Sequence, residues 1–296
     1  VPFEGEIDID DLIHEHNVAI TLTHFGYIKR TAANVYRAQN RGGRGVLGMN
    51  AREEDFAEQL LITSSHNLIL FVTNKGRVYS LKGYEIPDSG RTGRGQAIVN
   101  LLQLNPGEKV ATIIPIKSFD DSKYIIMGTR NGIVKKTELA EYKNMRKSGL
   151  IAVELRDDDE LVNAKLADEN DTIMMATRKG MSIRFSEEDI RATGRSSIGV
   201  RGINLNDDDY VIGMDVCKDD NETLLIVTER GFGKRTAVGE YKVQNRGGKG
   251  LITYKVSEKT GELVGMMFVQ DDRDLMLITS SGVVIRLHIS DINTIG

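Results

Sequence analysis

Ile69-Leu-Phe-Val-Thr-Asn-Lys-Gly76 is a short run of strand formers that ends in a polar step and a glycine, and the basic strand Arg77-Val-Tyr-Ser80 follows it. Alone it reads as a tight β-hairpin, because glycine supplies a positive φ at the turn without steric cost. Five further stretches repeat it: Ala19-Ile-Thr-Leu-Thr-His-Phe-Gly26, Ile125-Ile-Met-Gly-Thr-Arg-Asn-Gly132, Ile173-Met-Met-Ala-Thr-Arg-Lys-Gly180, Leu224-Leu-Ile-Val-Thr-Glu-Arg-Gly231 and Leu275-Met-Leu-Ile-Thr-Ser-Ser-Gly282. Their closing glycines stand 50, 56, 48, 51 and 51 residues apart. A fixed period of about 50 residues is the mark of a repeat architecture.

Working outward from Gly76, the second period holds four strand candidates. Leu68–Thr73 and Arg77–Ser80 form the hairpin, Ala97–Leu104 is a third segment, Asn105-Pro-Gly-Glu108 is a second turn, and Val110–Ile116 is the fourth strand. Other copies carry an acidic turn at that point: Asp157-Asp-Asp-Glu160, Asn206-Asp-Asp-Asp209 and Glu258-Lys-Thr-Gly-Glu262. Four strands per unit of this length match a propeller blade, so the expected fold is all-β, a six-bladed propeller-like ring of four-stranded blades. The first copy is irregular, and its segment Glu53–Gln59 reads as a short helical or looped insertion. The expected organisation is a single domain, 1–296, with an N-terminal segment 1–16, blades at 17–64, 65–119, 120–168, 169–219 and 220–271, and an incomplete sixth blade at 272–296.

Composition narrows the function. Four prolines leave no Pro-rich linker, and the absence of tryptophan weakens a Trp-Asp propeller. Cys217 is the sole cysteine and lies in an apolar strand, which leaves neither a disulfide framework nor a cysteine-based metal site. No run of 18 apolar residues and no secretory leader is seen, so a cytosolic protein is expected. Val1 at the start leads us to expect a piece of something longer. His14 and His16 have no third ligand at a metal spacing, and the aspartates at 157–159 and 207–209 lack the alternation of a calcium loop. No GxxxxGK[ST], GxSxG or HExxH motif occurs, so no catalytic residue, cofactor or metal is expected in this chain. Aromatic residues are 6% of the chain, too few for base stacking along single strands.

Net charge is −4, yet its distribution favours a polyanion. Acidic residues gather at the second turn of each repeat, and basic residues gather after the hairpin glycine and in the loop that follows. In a ring of like-oriented repeats, equivalent charges fall on the same zone of surface, and local field steers a polyanion more than net charge does. Two loops carry the strongest pattern: Gln39-Asn-Arg-Gly-Gly-Arg-Gly45 and Gln244-Asn-Arg-Gly-Gly-Lys-Gly250, each beginning 13 residues after its hairpin glycine. Glycines let the backbone approach a phosphate and expose its N–H groups. Arg41 can hold a phosphate bidentately, and Gln39 can bond to backbone or sugar. Weaker versions are Ser89-Gly-Arg-Thr-Gly-Arg-Gly95, Met145-Arg-Lys-Ser-Gly149 and Thr193-Gly-Arg-Ser-Ser-Ile-Gly199. These loops nominate Gln39, Arg41, Gly42, Gly43, Arg44, Gly45, Arg91, Arg94, Arg146, Lys147, Arg195, Arg246 and Lys249 as contacts to the phosphates of a polyanion. The strands after the hairpin glycine add Lys29, Arg30, Arg77, Lys135, Lys136, Arg184, Lys234, Arg235 and Arg286, which otherwise read as solvated edge-strand charges.

The loop Gln39–Gly45 resembles the gyrase A box, and the similarity extends along the chain through Gly26-Tyr-Ile-Lys-Arg-Thr31, Lys75-Gly-Arg-Val-Tyr-Ser80, Asn131-Gly-Ile-Val-Lys-Lys-Thr137 and Gly233-Lys-Arg-Thr-Ala-Val238. These look like the C-terminal domain of the A subunit of type IIA topoisomerases of the gyrase family. The resemblance implies a six-bladed β-pinwheel whose blades exchange strands, with double-stranded DNA wrapped around its outer rim in a positive crossing. It also implies a heterotetramer in which this domain partners the rest of its own A subunit, together with a B subunit. ATP and Mg would be used elsewhere in that enzyme, in the bacterial cytoplasm at the nucleoid. The box departs from the family pattern at Asn40 and Asn245, where a basic residue is usual, and a second near-complete box in the fifth blade is a further departure. A topoisomerase IV A-subunit domain and a propeller scaffold for protein partners are the rival readings.

Overall fold

A computed structural model describes residues 8–33, 46–47, 55, 57–120, 123–272, 274–278 and 283–295. Six antiparallel hairpins set its frame: Asn17–Thr23 with Tyr27–Ala32, Leu68–Thr73 with Arg77–Lys82, Tyr124–Thr129 with Ile133–Glu138, Thr172–Thr177 with Met181–Ser186, Thr223–Thr228 with Gly233–Ala237, and Asp274–Ile278 with Val283–His288. The turn chemistry repeats. Gly76 and Gly132, at φ +74° and +87°, occupy the left-handed region that side chains avoid. The threonine three residues earlier closes the turn twice. Its carbonyl accepts from the glycine N–H, as Thr129 does from Gly132 at 3.1 Å. Its Oγ1 accepts from the next N–H, as Thr129 does from Ile133 at 3.1 Å and Thr177 from Met181 at 3.1 Å.

A third strand joins the first strand of five hairpins: Ala57–Ser64, Val110–Ile116, Leu161–Ala167, Val211–Cys217 and Leu263–Val269. Each pairing shifts register at its hairpin end, at Val72/Thr73 in the second repeat and Ala176/Thr177 in the fourth. A bulge there increases local twist and bends the strand. These five strands pack one against the next in sequence order, and Ala57–Ser64 also touches Asp274–Ile278 of the last hairpin. The chain is therefore an all-β propeller. The hydrophobic clusters lie between neighbouring sheets. Leu70, Val72 and Val78 of the second repeat meet Ile125, Met127, Tyr142, Val153 and Leu161 of the third, all buried. Ile173, Met175, Ile183 and Phe185 of the fourth meet Ile126, Val134, Ile203 and Met214. Each such aliphatic side chain taken from water contributes about 1.5–3 kcal/mol, which couples every sheet to the next.

Two sequence expectations are corrected. The third segment of the second repeat is not a strand over Ala97–Leu104. It is a two-residue strand, Gln96–Ala97, followed by a 3-10 turn at Ile98–Asn100, and it pairs with Tyr27–Ile28 of the preceding repeat. Leu150–Ile151, Val200–Arg201 and Leu251–Ile252 cross in the same way to Arg77–Val78, Ile133–Val134 and Met181–Ser182. Val46–Leu47 of the first repeat pairs with Val283–Val284 of the last, so the first and last repeats share a sheet. Four sheets thus have four strands, while the sheets around Thr223–Thr228 and Asp274–Ile278 have three among the described residues. The second correction concerns Glu53–Gln59: Glu58 and Gln59 belong to the strand Ala57–Ser64. Alternating burial is weak there because that strand faces two neighbouring sheets.

Candidate nucleic-acid interface

The loops that precede the exchanged strands share one construction. The terminal glycine of each, Gly95, Gly149, Gly199 and Gly250, has φ between +74° and +100° and leads directly into the crossing strand. A Cβ on Gly149 would lie 2.8 Å from the carbonyl oxygen of Val78, and one on Gly199 would lie 2.6 Å from that of Val134. The last glycine of the motif is thus required by strand exchange, whatever the other glycines do. The first residues of the loop are tied to the preceding sheet as well. Ser89 and Gln244 donate their N–H groups to the carbonyls of Arg30 and Arg184 at 3.0 and 2.8 Å.

Charge at the loop surface comes from Arg91, Arg146, Lys147 and Lys249, all exposed. Arg191 and Lys242 are exposed on the same loops and Arg201 on the crossing strand that follows, and all three escaped the sequence reading, since they fall outside the glycine-flanked core of the motif. Arg94, Arg195, Lys234 and Arg246 are half-buried. Arg94 stacks its guanidinium 3.6 Å from the Tyr27 ring centre. Arg246 donates to the carbonyls of Asp189 and Arg201, which links its loop to the neighbouring one. Arg30 and Arg77 are half-buried too, donating to the carbonyls of Ile86 at 2.9 Å and Ser148 at 2.7 Å. Gln39, Arg41, Gly42, Gly43, Arg44, Gly45 and the Arg286 side chain lie outside the described residues.

Five nominated contacts point inward. Lys29, Lys135, Lys136, Arg184 and Arg235 are 0%, 1%, 8%, 8% and 4% exposed, too enclosed to meet a phosphate at the rim. The physical reason is that the loop or 3-10 turn of the next repeat lies over each of these side chains. Lys136 Nζ pairs with the Glu187 carboxylate at 2.7 Å. Arg184 donates to Thr172 Oγ1 at 3.0 Å, to the carbonyls of Val238 and Tyr241, and to Asp220 at 3.2 Å. Arg235 repeats this with Thr223 Oγ1 at 2.6 Å, the carbonyls of Ile289 and Ile292, and Asp271. These arginines fasten one sheet to the short 3-10 turn of the next. The threonine, arginine and aspartate each recur 51 residues on, a signal that the sequence already carries.

Lys29 and Lys135 have no carboxylate partner among the described residues. Lys29 Nζ donates to the carbonyls of Gly90, Arg91 and Gly93, and Lys135 Nζ to those of Ala152 and Arg195. Burial pushes both ammonium groups down to about 8, with Arg195 adding to the effect at Lys135.

The acidic turns are structural. Asp55, Asp159 and Asp209 accept the backbone N–H of Phe25, Asn131 and Lys179, each the residue before a hairpin glycine, at 3.0, 3.0 and 3.1 Å. Glu108 accepts from Thr73 Oγ1 at 2.6 Å and from the Tyr79 hydroxyl at 2.7 Å. Among the described residues no group of three His, Cys, Asp or Glu side chains is arranged to hold a metal ion, and no helix is long and apolar enough to cross a membrane.

Comparison with known proteins follows this geometry repeat by repeat. The profile of the family described as DNA gyrase C-terminal domain, beta-propeller, matches residues 18–64, 67–117, 123–168, 171–218, 222–270 and 273–296. The chain is 56% identical over 291 residues to the DNA gyrase A subunit of Clostridium acetobutylicum, covering 98% of this chain and 35% of that protein. It is 44% identical over 288 residues to the DNA gyrase A subunit of Mycolicibacterium smegmatis, covering 97% and 34%. The chain therefore spans about a third of the length of these relatives. Among solved structures, a DNA gyrase A C-terminal domain superposes with TM-score 0.83 at 27% identity, covering 95% of this chain and 92% of that one. A C-terminal domain of DNA topoisomerase IV gives 0.74 at 28% identity, covering 95% and 86%.

Proposed function

We propose, since the chain belongs to the DNA gyrase C-terminal domain family, that it binds double-stranded DNA without sequence preference and wraps it around its outer edge with a positive crossing. In this reading the six sheets are the blades of one β-pinwheel. The observation that carries it is the placement of the exposed Arg91, Arg146, Lys147, Arg201 and Lys249 on loops and strands that cross from blade to blade in one register. Repetition lays them along one edge, a track for phosphates. Bending a duplex of tens of base pairs costs on the order of several kcal/mol, which many backbone contacts offset together. Base readout has no part in such a path, since positioning contacts carry no sequence information.

The chain itself performs no chemistry in this reading. It presents wrapped DNA to the remainder of its A subunit, while a B subunit supplies the use of ATP and Mg that drives strand passage. The wrap sets the direction towards negative supercoiling. The reading as gyrase over topoisomerase IV rests on the intact residues Arg41, Gly42, Gly43, Arg44 and Gly45 and on the names of the curated relatives. A salt titration of duplex binding tests it. One or two phosphates per blade displace roughly 6–12 counterions and give a log–log slope of about −5 to −10. A slope shallower than about −2 excludes a path along the whole edge.

A further inference from the structure

The position three residues after the hairpin glycine alternates around the chain: Lys29, Tyr79, Lys135, Ile183, Lys234, Ile285. The loop of the following repeat lies above it. Where that residue is Lys29 or Lys135, the loop reads [ST]-Gly-Arg-[ST], as Ser89–Thr92 or Thr193–Ser196. Where it is Ile183, the loop is the Gln-Asn-Arg-Gly-Gly motif, and a Cβ on Gly248 would lie 3.8 Å from the Ile183 side chain. The lysine floors thus carry one kind of loop and the isoleucine floor another, while Tyr79 lies under the shorter loop Met145–Gly149.

The lysine floor orients its loop. Carbonyls of Gly90, Arg91 and Gly93 converge on Lys29 Nζ, and that of Arg195 converges on Lys135 Nζ. Gly93 N–H also closes on the Gly90 carbonyl at 3.0 Å. No cis bond is present among the described residues, and in a trans peptide the N–H points opposite to the C=O of the same unit. The N–H groups of Arg91, Thr92, Arg94 and Ser196 are thus turned away from the buried ammonium. Arg91, Thr92 and Ser196 are exposed, so these donors stand on the outer side of the loop beside cationic side chains. Arg91 and Thr92 supply two successive outward amides, the arrangement of an anion-binding concavity, and Ser196 supplies one beside Arg195.

We propose that Lys29 and Lys135 are positioning residues that create two backbone-amide sites for a phosphodiester on loops 89–95 and 193–199, without touching the nucleic acid themselves. The proposal rests on the DNA-binding reading and adds to it a second class of contact beside the arginine-glycine box. The chemistry recognised is a tetrahedral oxyanion, whether a DNA backbone phosphate or free phosphate.

Backbone amide NMR of the 296-residue chain, titrated separately with inorganic phosphate and with a short duplex, tests it. The expected result is movement of the Arg91, Thr92, Arg94 and Ser196 amides with the duplex. Lys29→Met removes the response at residues 91–94 and spares Ser196, and Lys135→Met does the reverse. Response to phosphate alone, with no duplex binding, upholds these sites and sinks the wrapping reading. Duplex binding that leaves all four wild-type amides unmoved overturns this proposal and leaves wrapping intact. Because that decision uses wild-type protein, it stands even where a variant fails to fold.

Discussion

In the proposed reading a buried cation serves DNA binding without ever meeting DNA, and at Lys29 the two roles separate by pH. Its ammonium and that of Lys135 are lowered to about 8 by burial, from an ordinary 10.5. Below about pH 8 both folded and unfolded chains are protonated there, and the full cost of burying the charge is present. Between about 8 and 10.5 the unfolded chain keeps a proton that the folded chain has shed, so these lysines' contribution to stability rises with pH. DNA affinity moves the other way, because a neutral amine offers two hydrogens to three carbonyls and the loop loses a charge. Raising pH from about 7 to about 9.5 is expected to weaken duplex binding by on the order of a few-fold, and Lys29→Met with Lys135→Met should remove that dependence. The inward Lys136 gives a contrasting expectation. Lys136→Ala leaves Glu187 uncompensated and costs about 3–5 kcal/mol of stability, read by denaturant unfolding, with the salt slope of binding unchanged. A lower slope with unaltered stability would return Lys136 to the surface track.

At the scale of strands and loops, the exchanged strand is the joint on which each blade boundary depends. Gly149→Ala forces a side chain at φ +74° and a Cβ 2.8 Å from the Val78 carbonyl. The left-handed conformation alone costs about 1–2 kcal/mol. Thermal unfolding of that variant should therefore begin lower, and Leu150 and Ile151 amides should lose hydrogen-exchange protection before the hairpin does. Equal protection in both would show that the crossing pair is dispensable. The hairpins themselves were legible, because an apolar run, a threonine and a glycine recur at one spacing. The crossing strands were not. Two residues are too few to show a period, and the partner of Leu150 lies at Val78, in the previous repeat. The exposed box-type charges Arg91, Arg146, Lys147 and Lys249 were legible from their glycine context. Lys29, Lys135, Lys136, Arg184 and Arg235 were misread because a basic residue in a strand ordinarily marks a solvated face, and here the loop or turn of the next repeat covers these side chains.

Over the whole molecule, the first and last repeats meet where Val46–Leu47 pairs with Val283–Val284. The first box, Gln39–Gly45, immediately precedes Val46 in the sequence. A duplex that runs around the edge must complete its turn there. Replacing Arg41 and Arg44 by Ala is expected to leave most of the affinity, since the other loops still attract phosphates, and to abolish the wrap. Replacing Arg246 and Lys249 should lower affinity and keep the direction of the wrap. Plasmid topology reads the handed wrap without an intermediary. A nicked plasmid sealed by ligase in the presence of increasing amounts of the chain, then stripped of protein, should carry positive supercoils in proportion to the chain bound, and the Arg41 and Arg44 variant should give none. A linking-number distribution unchanged from protein-free plasmid at saturating wild-type chain, or one shifted negative, would rule out a positive wrap.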